Sequence, residues 1–259
     1  MRILASILLA LFALAAAPLS AAETLKVLIV DGQNNHQWQK TTPLLKQALE
    51  SSGRFTVEVA TSPPKGGDMS TFVPEFAKYQ VVVSNYNGDL WCEEAQTKLE
   101  EFLEAGGGLV VVHAANNAFS GWQEYNAMIG LGWRGNSFGT RVTLNDEGTL
   151  VVTPKGEGPG AGHGPQHEYE VVIRNAEHPI TKGLPRAWLH SKDELYHGQR
   201  GPAENMTILA TAFSDSGKGG TGAHEPLLWT IPYGKGRVFT TVMGHADYSQ
   251  ECVGFLVSL

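Results

Sequence analysis

The sequence predicts an α/β fold: a doubly wound, mainly parallel sheet with helices on both faces and an antiparallel hairpin near the C-terminus. Three observations lead there. Short, unbroken apolar runs recur at Leu25-Lys-Val-Leu-Ile-Val-Asp31, Gln80-Val-Val-Val-Ser84 and Leu109-Val-Val-Val-His113, the pattern of strands buried on both faces. Segments with a helical apolar stripe alternate with these runs. Glycines close the stripes, at Gly53 and at Gly106-Gly107-Gly108.

The elements follow in order. Residues 1–22 read as a leader: Arg2 is a short positive region, Ile3 to Ala17 carries no charge, Pro18 interrupts it, and Ser20-Ala21-Ala22 supplies small residues for cleavage before Glu23. About 15 apolar residues are too few to span a bilayer comfortably. The expectation is export to the periplasm or the exterior, leaving residues 23–259 as a single domain. After the first strand, Thr41-Thr42-Pro43 reads as a helix start, with a threonine N-cap and proline in the first turn. Leu44, Leu45, Ala48 and Leu49 give that helix its apolar stripe. Phe55, Val57 and Val59 alternate with polar residues, as in a strand. Residues 61–71 read as a loop, with a short helix before the strand at 80–84. Glu93 to Glu104 is an amphipathic helix with Leu99, Phe102 and Leu103 on one side and acids in its first turn.

Beyond His113 the pattern loosens. Residues 114–139 are rich in Gly, Asn and Trp, with a helix expected over Gln123 to Ile129. Val142 to Thr153 reads as an antiparallel hairpin, Gly156 to Gly164 as a glycine-rich loop, and Tyr169 to Arg174 and Thr207 to Phe213 as strands. Leu227 to Ile231 and Arg237 to Val242 flank a turn at Pro232-Tyr-Gly-Lys-Gly236 and form the late hairpin. A last helix starts near Gln250, and the sequence stops inside it at Leu259.

The formal charge is -7, or -8 once Arg2 is lost, and no run of Lys or Arg occurs. Nucleic acid and anionic membrane are therefore poor partners, and a small molecule suits the chain better. The sequence leaves a homo-oligomer open. Cys92 and Cys252 either pair, as an oxidising compartment allows, or remain separate thiols.

In an open parallel sheet, ligands bind outside the carboxyl ends of the strands. Four segments deliver polar side chains there, provided the late strand runs parallel to the early ones. They are Asp31-Gly-Gln-Asn-Asn-His36, Asn85-Tyr86-Asn-Gly88, His113-Ala-Ala-Asn116-Asn117 and Gly244-His245-Ala-Asp247. Asp31 also suits a loop cap, and the asparagine pairs suit turns. His113 stands where a nucleophile elbow would place Ser or Cys, so acyl-enzyme chemistry by that route is disfavoured. Imidazole at that point can act as acid, base or metal ligand. Two further segments join the argument: His163 to Glu168 in the glycine-rich loop, and Asp193-Glu194 ahead of Arg200. The catalytic candidates are thus His113, His245, Asp31, Asp193 and Glu194. The substrate-binding candidates are His36, Asn85, Tyr86, Asn116, Asn117, Trp122 and Arg200. His113, His163 and His245 are candidate ligands for a divalent metal such as zinc, although no compact ligand motif occurs. Trp91, Trp122, Tyr125 and Trp133 form either a platform for a sugar ring or an apolar plug over the sheet.

These residues carry a resemblance. Asp31 to His36, Gly106 to His113, Asn117-Ala-Phe119 with Trp122, and Glu124 to Gly130 are its first part. His178 to Thr181, Gly183-Leu-Pro185, Asp193 to Tyr196, Tyr233 to Phe239 and Gly244-His245 complete it. The chain resembles the ThuA-like family, named for trehalose utilisation, whose fold is similar to the class I glutamine amidotransferase domain, a flavodoxin-like sandwich. The resemblance implies a link to carbohydrate use and work on a disaccharide or an oxidised keto-sugar. The chain departs from the amidotransferases in having His113 instead of a cysteine, and it stops where relatives tend to continue. The leading expectation is an exported enzyme that cleaves or rearranges a glycoside or keto-sugar by histidine-based acid–base chemistry, with or without a metal. The alternatives are a non-catalytic sugar-binding module and an amidotransferase-related amidase or peptidase using Ser84 or Ser120.

Overall fold

The computed structural model describes residues 24–259, so the leader and its cleavage point lie outside the described residues. The chain runs β1 (Leu25–Asp31), α1 (Trp38–Ser51), β2 (Phe55–Thr61), β3 (Val81–Ser84), α2 (Glu93–Glu104), β4 (Gly108–Val112) and α3 (Gln123–Ile129). It continues with β5 (Arg141–Leu144), β6 (Leu150–Thr153), β7 (Gly162–His163), β8 (His167–Ile173), β9 (Ala187–Asp193), β10 (Tyr196–His197) and β11 (Thr207–Ser214). It ends with β12 (Ala223–Tyr233), β13 (Gly236–Thr241), α4 (Asp247–Gln250) and α5 (Val253–Ser258).

Eleven strands form one sheet whose main path is β2-β1-β3-β4-β13-β12-β11-β8-β9, with β5 on β12 and β6 on β5. The pairs β1–β2, β1–β3, β3–β4 and β4–β13 are parallel. Those five strands have the flavodoxin order, and β13 is the late strand running with the early ones. Every strand beyond β13 is paired antiparallel. The antiparallel part is therefore much larger than the hairpin the sequence suggests. Strands β7 and β10 form a separate two-stranded ladder.

Alternation along β1 divides the core between two faces. Val27 and Ile29 pack with Leu45 and Leu49 of α1 and Phe255 of α5. Leu28 and Val30 pack with Leu99, Phe102 and Leu103 of α2 and Met128 and Ile129 of α3. Helices thus cover both faces, as expected for parallel strands built from apolar runs.

Three local expectations are corrected. Helix α1 starts at Trp38, with Pro43 inside it. Proline is tolerated there because it lies near the N-terminus, where it removes only one intrahelical bond. The Thr41 and Thr42 hydroxyls do not cap the helix; both accept from Asn85 Nδ2 at 3.0 Å. Between β2 and β3 lie two short 3-10 turns, Met69–Thr71 and Phe76–Lys78, in place of a helix.

The glycine-rich segment 156–164 is held by a buried cation. Arg200 donates from Nε to Pro159 O at 2.9 Å, and from Nη1 to Gly139 O and Pro154 O at 3.2 and 3.1 Å. Nη2 reaches Glu157 O and Pro159 O. Charge-assisted hydrogen bonds contribute about 1.5–3 kcal/mol each, but the freed carbonyls partly regain water. Arg200→Ala is accordingly expected to cost about 3 kcal/mol, read as a lowered melting temperature in circular dichroism.

Candidate metal centre

The carboxyl ends of β1, β4 and β13 each contribute one imidazole to a common point. His36 follows β1, His113 follows β4 directly, and His245 follows β13. Glu194 joins them from the end of β9. One ligand atom from each of these four residues lies within 4.8 Å of the others. Glu194 Oε2 stands 3.5 Å from His113 Nε2, 3.1 Å from His245 Nδ1 and 3.8 Å from His36 Nε2. The three rings meet edge to face, with centroids 4.5–5.5 Å apart and interplanar angles of 82–88°.

His113 takes φ +45°, a left-handed conformation that costs energy for a residue with a Cβ and that collects at functional sites. The sharp turn after β4 is therefore present, but it leads into a 3-10 turn over His113–Asn117. The turn aims the ring across the sheet end, where Nδ1 donates to Val242 O at 2.7 Å. His36 is fixed similarly: Asn34 Oδ1 accepts from the His36 backbone N–H at 2.9 Å and faces its Nδ1 at 3.2 Å. The backbone bond sets the Asn34 amide, so Nδ1 carries the ring proton. His163 Nδ1 donates to Gly164 O at 2.7 Å. In each ring the proton is committed to a fixed acceptor, and Nε2 presents a lone pair towards the Glu194 carboxylate. His163 faces the other carboxylate oxygen, with Nε2 3.5 Å from Oε1. Its place follows from the ladder, in which His163 pairs with Tyr196, two residues after Glu194.

Lone pairs that converge on an anion repel one another unless a cation lies among them. His113 Nε2 and His245 Nδ1 are buried and have no hydrogen-bond partner among the described residues. Two donors about 2.1 Å from one ion lie up to ~4.2 Å apart, so a small contraction of the cluster would seat a metal. Three imidazoles and one carboxylate suit zinc, iron, nickel or copper, and do not suit calcium or magnesium, which take oxygen donors. The backbone carbonyl and amide oxygen behind His113 and His36 are the supports that orient metal-bound imidazoles. Burial alone would raise the Glu194 carboxyl, but with protons rather than a metal in the cluster the charged His113, His245 and His36 rings outweigh it and hold the group well below the usual carboxylate range. Burial lowers His36, whereas Glu194 overcomes burial at His245 and raises it.

Asp193 does not face this point. It is fully buried and accepts from Gly244 N at 2.8 Å, His245 N at 3.2 Å, Glu194 N at 2.8 Å and His190 Nε2 at 2.8 Å. It ties the end of β9 to the end of β13 and so sets Glu194 against His245. Gly244, at φ +98° and with Phe255 where a Cβ would stand, permits that approach.

The structure thus brings together His113, His245, Glu194 and His36, the last of which the sequence suggests for substrate rather than metal. His163 stands beside them and Asp193 behind them. Several candidates lie elsewhere. Asp31 is buried and accepts from Thr61 Oγ1 at 2.7 Å, and burial raises its carboxyl. Asn85 braces α1 through Thr41 and Thr42. The Tyr86 hydroxyl donates to Asp89 O, and its ring stacks on Phe119 within the α2-side core. Trp122 donates to Glu100 in the same core, which also takes Trp91 and Tyr125, so these aromatics plug the fold. Asn116 is buried against Gln199, the Asn117 carbonyl receives Arg134, and Arg200 is the clamp described above. Trp133 alone of the four aromatics lies beside the centre, 5.7 Å from the His163 ring and 4.6 Å from Tyr196. His190 and Tyr196 belong to the surroundings that residue-type reasoning passed over. A His-x-x-Asp-Glu spacing at a strand end was the available signal for His190. Cys92 and Cys252 are both free.

A family model described as ThuA, trehalose utilisation, matches residues 26–256. The crystal structure of a ThuA-like protein from Parabacteroides merdae is 46% identical, with TM-score 0.87 over 91% of this chain and 87% of that one. A ThuA-like protein from Bacteroides uniformis is 19% identical, with TM-score 0.63 over 94% and 92% of the two chains. The cold-adapted β-galactosidase from Rahnella sp. R3 shares 17% identity and TM-score 0.51 over 91% of this chain and 30% of its own. These last two likenesses are of fold. A search of curated proteins gives no match.

Proposed function

Since the chain belongs to the ThuA, trehalose-utilisation family, we propose that it is an exported, metal-assisted enzyme that cleaves or rearranges a glycoside or keto-sugar. The observation that carries this reading is the convergence of His36, His113, His245 and Glu194 at the carboxyl edge of the parallel strands, with the His36 and His113 ring protons turned away from the centre. A divalent ion held there supplies Lewis-acid polarisation of a sugar carbonyl or hydroxyl oxygen. The chain's own residues do the rest. His163, with about a third of its side chain exposed, offers an unprotonated Nε2 on the accessible side. It can take a proton from a carbon next to a keto group, or from a hydroxyl, and return it to the departing oxygen. Trp133 and Tyr196 give an aromatic wall beside His163 for the apolar face of a sugar ring. The charge-free apolar stretch at residues 3–17, read as part of a leader, supports export to the periplasm or the exterior.

The amidase alternative finds no support in the geometry. Ser84 is buried in β3 and Ser120 is exposed at a loop. The serine–histidine hydrogen bond present, His197 Nδ1 to Ser214 Oγ at 3.2 Å, is buried. The test is elemental analysis of purified protein beside turnover of keto-disaccharides. About one transition metal per chain is expected, with loss of both metal and turnover in His113→Ala. Metal-free wild-type protein that still turns over substrate would sink the metal-assisted reading, and tight sugar binding without turnover would favour the binding module.

A further inference from the structure

The outer edge of the β5–β6 hairpin is open. Strand β6 pairs with β5 along Leu150–Thr153 without a bulge, and no strand lies on its other side among the described residues. Leu150, Val151 and Val152 are 53%, 41% and 57% exposed. Edge strands usually carry a charge, a proline or a bulge that blocks pairing with another chain. Leu150-Val-Val-Thr153 carries none of these.

The hairpin fixes which backbone groups point outward. Gly148 N donates to Asn145 O at 2.9 Å and Asn145 N to Thr149 O at 3.0 Å, so Asn145 and Thr149 are a hydrogen-bonded pair. Bonded and non-bonded pairs alternate along an antiparallel ladder. Leu144 stands opposite Leu150, and Thr143 opposite Val151. Val151 and Thr153 therefore bond to β5, and the N–H and C=O groups of Leu150 and Val152 face the open edge. A second β6, antiparallel about a two-fold axis at Val151, satisfies these groups: Leu150 of each copy exchanges both bonds with Val152 of the other. Pro154 has no N–H and ends the ladder.

The side chains suit the same register. Opposed residues share a face. Leu144 and Leu150 of one copy, then Val152 and Val142 of the other, make one apolar row, and the two-fold repeats it. Val151 meets its own counterpart on the axis. Just past the ladder, Lys155 falls opposite Glu147 of the other copy. Both are exposed, and Lys155 is the one cation within residues 145–158. Asp146 and Glu157 lie farther from the axis. We propose that two copies of this chain associate edge to edge through β6, joining their sheets across a two-fold axis. This pairing is independent of the metal centre.

Two short stretches of ladder and one apolar row make an interface at the low end of specific ones, so a dissociation constant on the order of 10 µM is expected. Sedimentation velocity of purified protein from about 5 to about 200 µM should show monomer passing to dimer. Val151→Lys sets like charges together on the axis and should stay monomeric, with its melting temperature kept because that side chain is half exposed. Glu147→Lys should weaken the dimer about three- to tenfold, and adding Lys155→Glu should restore it. The register is read by cross-linking. Non-bonded pairs bring Cα atoms about 4.5 Å apart, within disulfide reach. Val151→Cys should give a disulfide-linked dimer under mild oxidation, and Leu150→Cys and Val152→Cys should not. Wild-type protein, with its own Cys92 and Cys252, is the control. A wild-type monomer at about 200 µM would overturn the proposal and leave the edge to a different chain. So would a dimer that Val151→Lys leaves intact, or cross-linking at Leu150→Cys or Val152→Cys in place of Val151→Cys.

Discussion

Glu194→Gln is expected to lower transition-metal affinity by a hundred- to a thousandfold while leaving the fold in place. The substitution keeps the shape of the side chain and removes the one negative charge that His36, His113 and His245 surround. A unit charge ~4 Å from another, at an effective dielectric near 20, is worth about 4 kcal/mol, and each ~1.4 kcal/mol is tenfold in affinity. An ion that binds the folded chain at a hundred times its dissociation constant stabilises it by about 2.7 kcal/mol. Scanning calorimetry should therefore show a wild-type melting temperature that rises with added zinc and falls with chelator, and a Glu194→Gln protein that responds to neither. Isothermal titration gives the affinities directly. Unchanged zinc affinity in Glu194→Gln would remove the carboxylate from the ligand set.

Asp193→Asn is expected to be the most destabilising single change near the centre. The carboxylate accepts four hydrogen bonds in a fully buried place. An amide offers one acceptor oxygen, and its NH2 group would point at donors. Two or more buried N–H groups then lose their partner, at about 1–3 kcal/mol each, giving a loss of about 2–5 kcal/mol. Metal affinity should fall a further 10- to 100-fold, as it does when the supports of ligands are lost. The pH dependence has a defined sign. Burial would raise the Asp193 carboxyl, but His190 overcomes this and the group is lowered. Its contribution is complete above the ordinary aspartate value and is lost as pH falls through the lower folded value. His190 is opposed by burial but raised by Asp193. Its contribution is complete below the ordinary histidine value and is lost as pH rises through the higher folded value. The stability gap between wild type and Asp193→Asn, measured by urea unfolding of metal-free protein, should thus be widest between the ordinary aspartate and histidine values. It should narrow on both sides; a gap that grows steadily with acidity would contradict the assignment.

Much of the fold was legible because parallel strands buried on both faces need unbroken apolar runs, and β1, β3 and β4 have them. Helices α2 and α3 were legible to the residue, since their stripes are regular and their ends are marked. Strand β9 was not. Ala187-Trp-Leu-His-Ser-Lys-Asp193 mixes polar and apolar residues on both faces, because one face packs on the C-terminal helices and Leu189 is exposed. Helix α1 starts earlier than the sequence suggests because Pro43 suits a first turn, whereas the chain tolerates it several positions in. At the site, strand ends point to His113 and His245, and the adjacent carboxylates ahead of Arg200 single out Asp193-Glu194. What no local pattern carries is that the end of β9 reaches the ends of β4 and β13. That closure depends on pairing between segments far apart in sequence. The same reason left His36 among substrate-binding residues and placed Asp193 among catalytic ones, although one faces the centre and the other supports it. Tyr86, Trp122 and Arg200 have polar atoms that suit a ligand, and in the fold those atoms find partners within the chain.

The division of ligands between the two halves of the sheet bears on how the molecule opens. His36, His113 and His245 all stand on the parallel half, and Glu194 directly follows the last strand of the antiparallel path. A cation bound by all four therefore acts as a clasp across the two ends of a long folding path. The loaded molecule would unfold as one cooperative unit. The empty one would be free to release β9, with α4 and α5 that pack on it, as a separate low-energy opening. Metal supply would then set how long the protein persists.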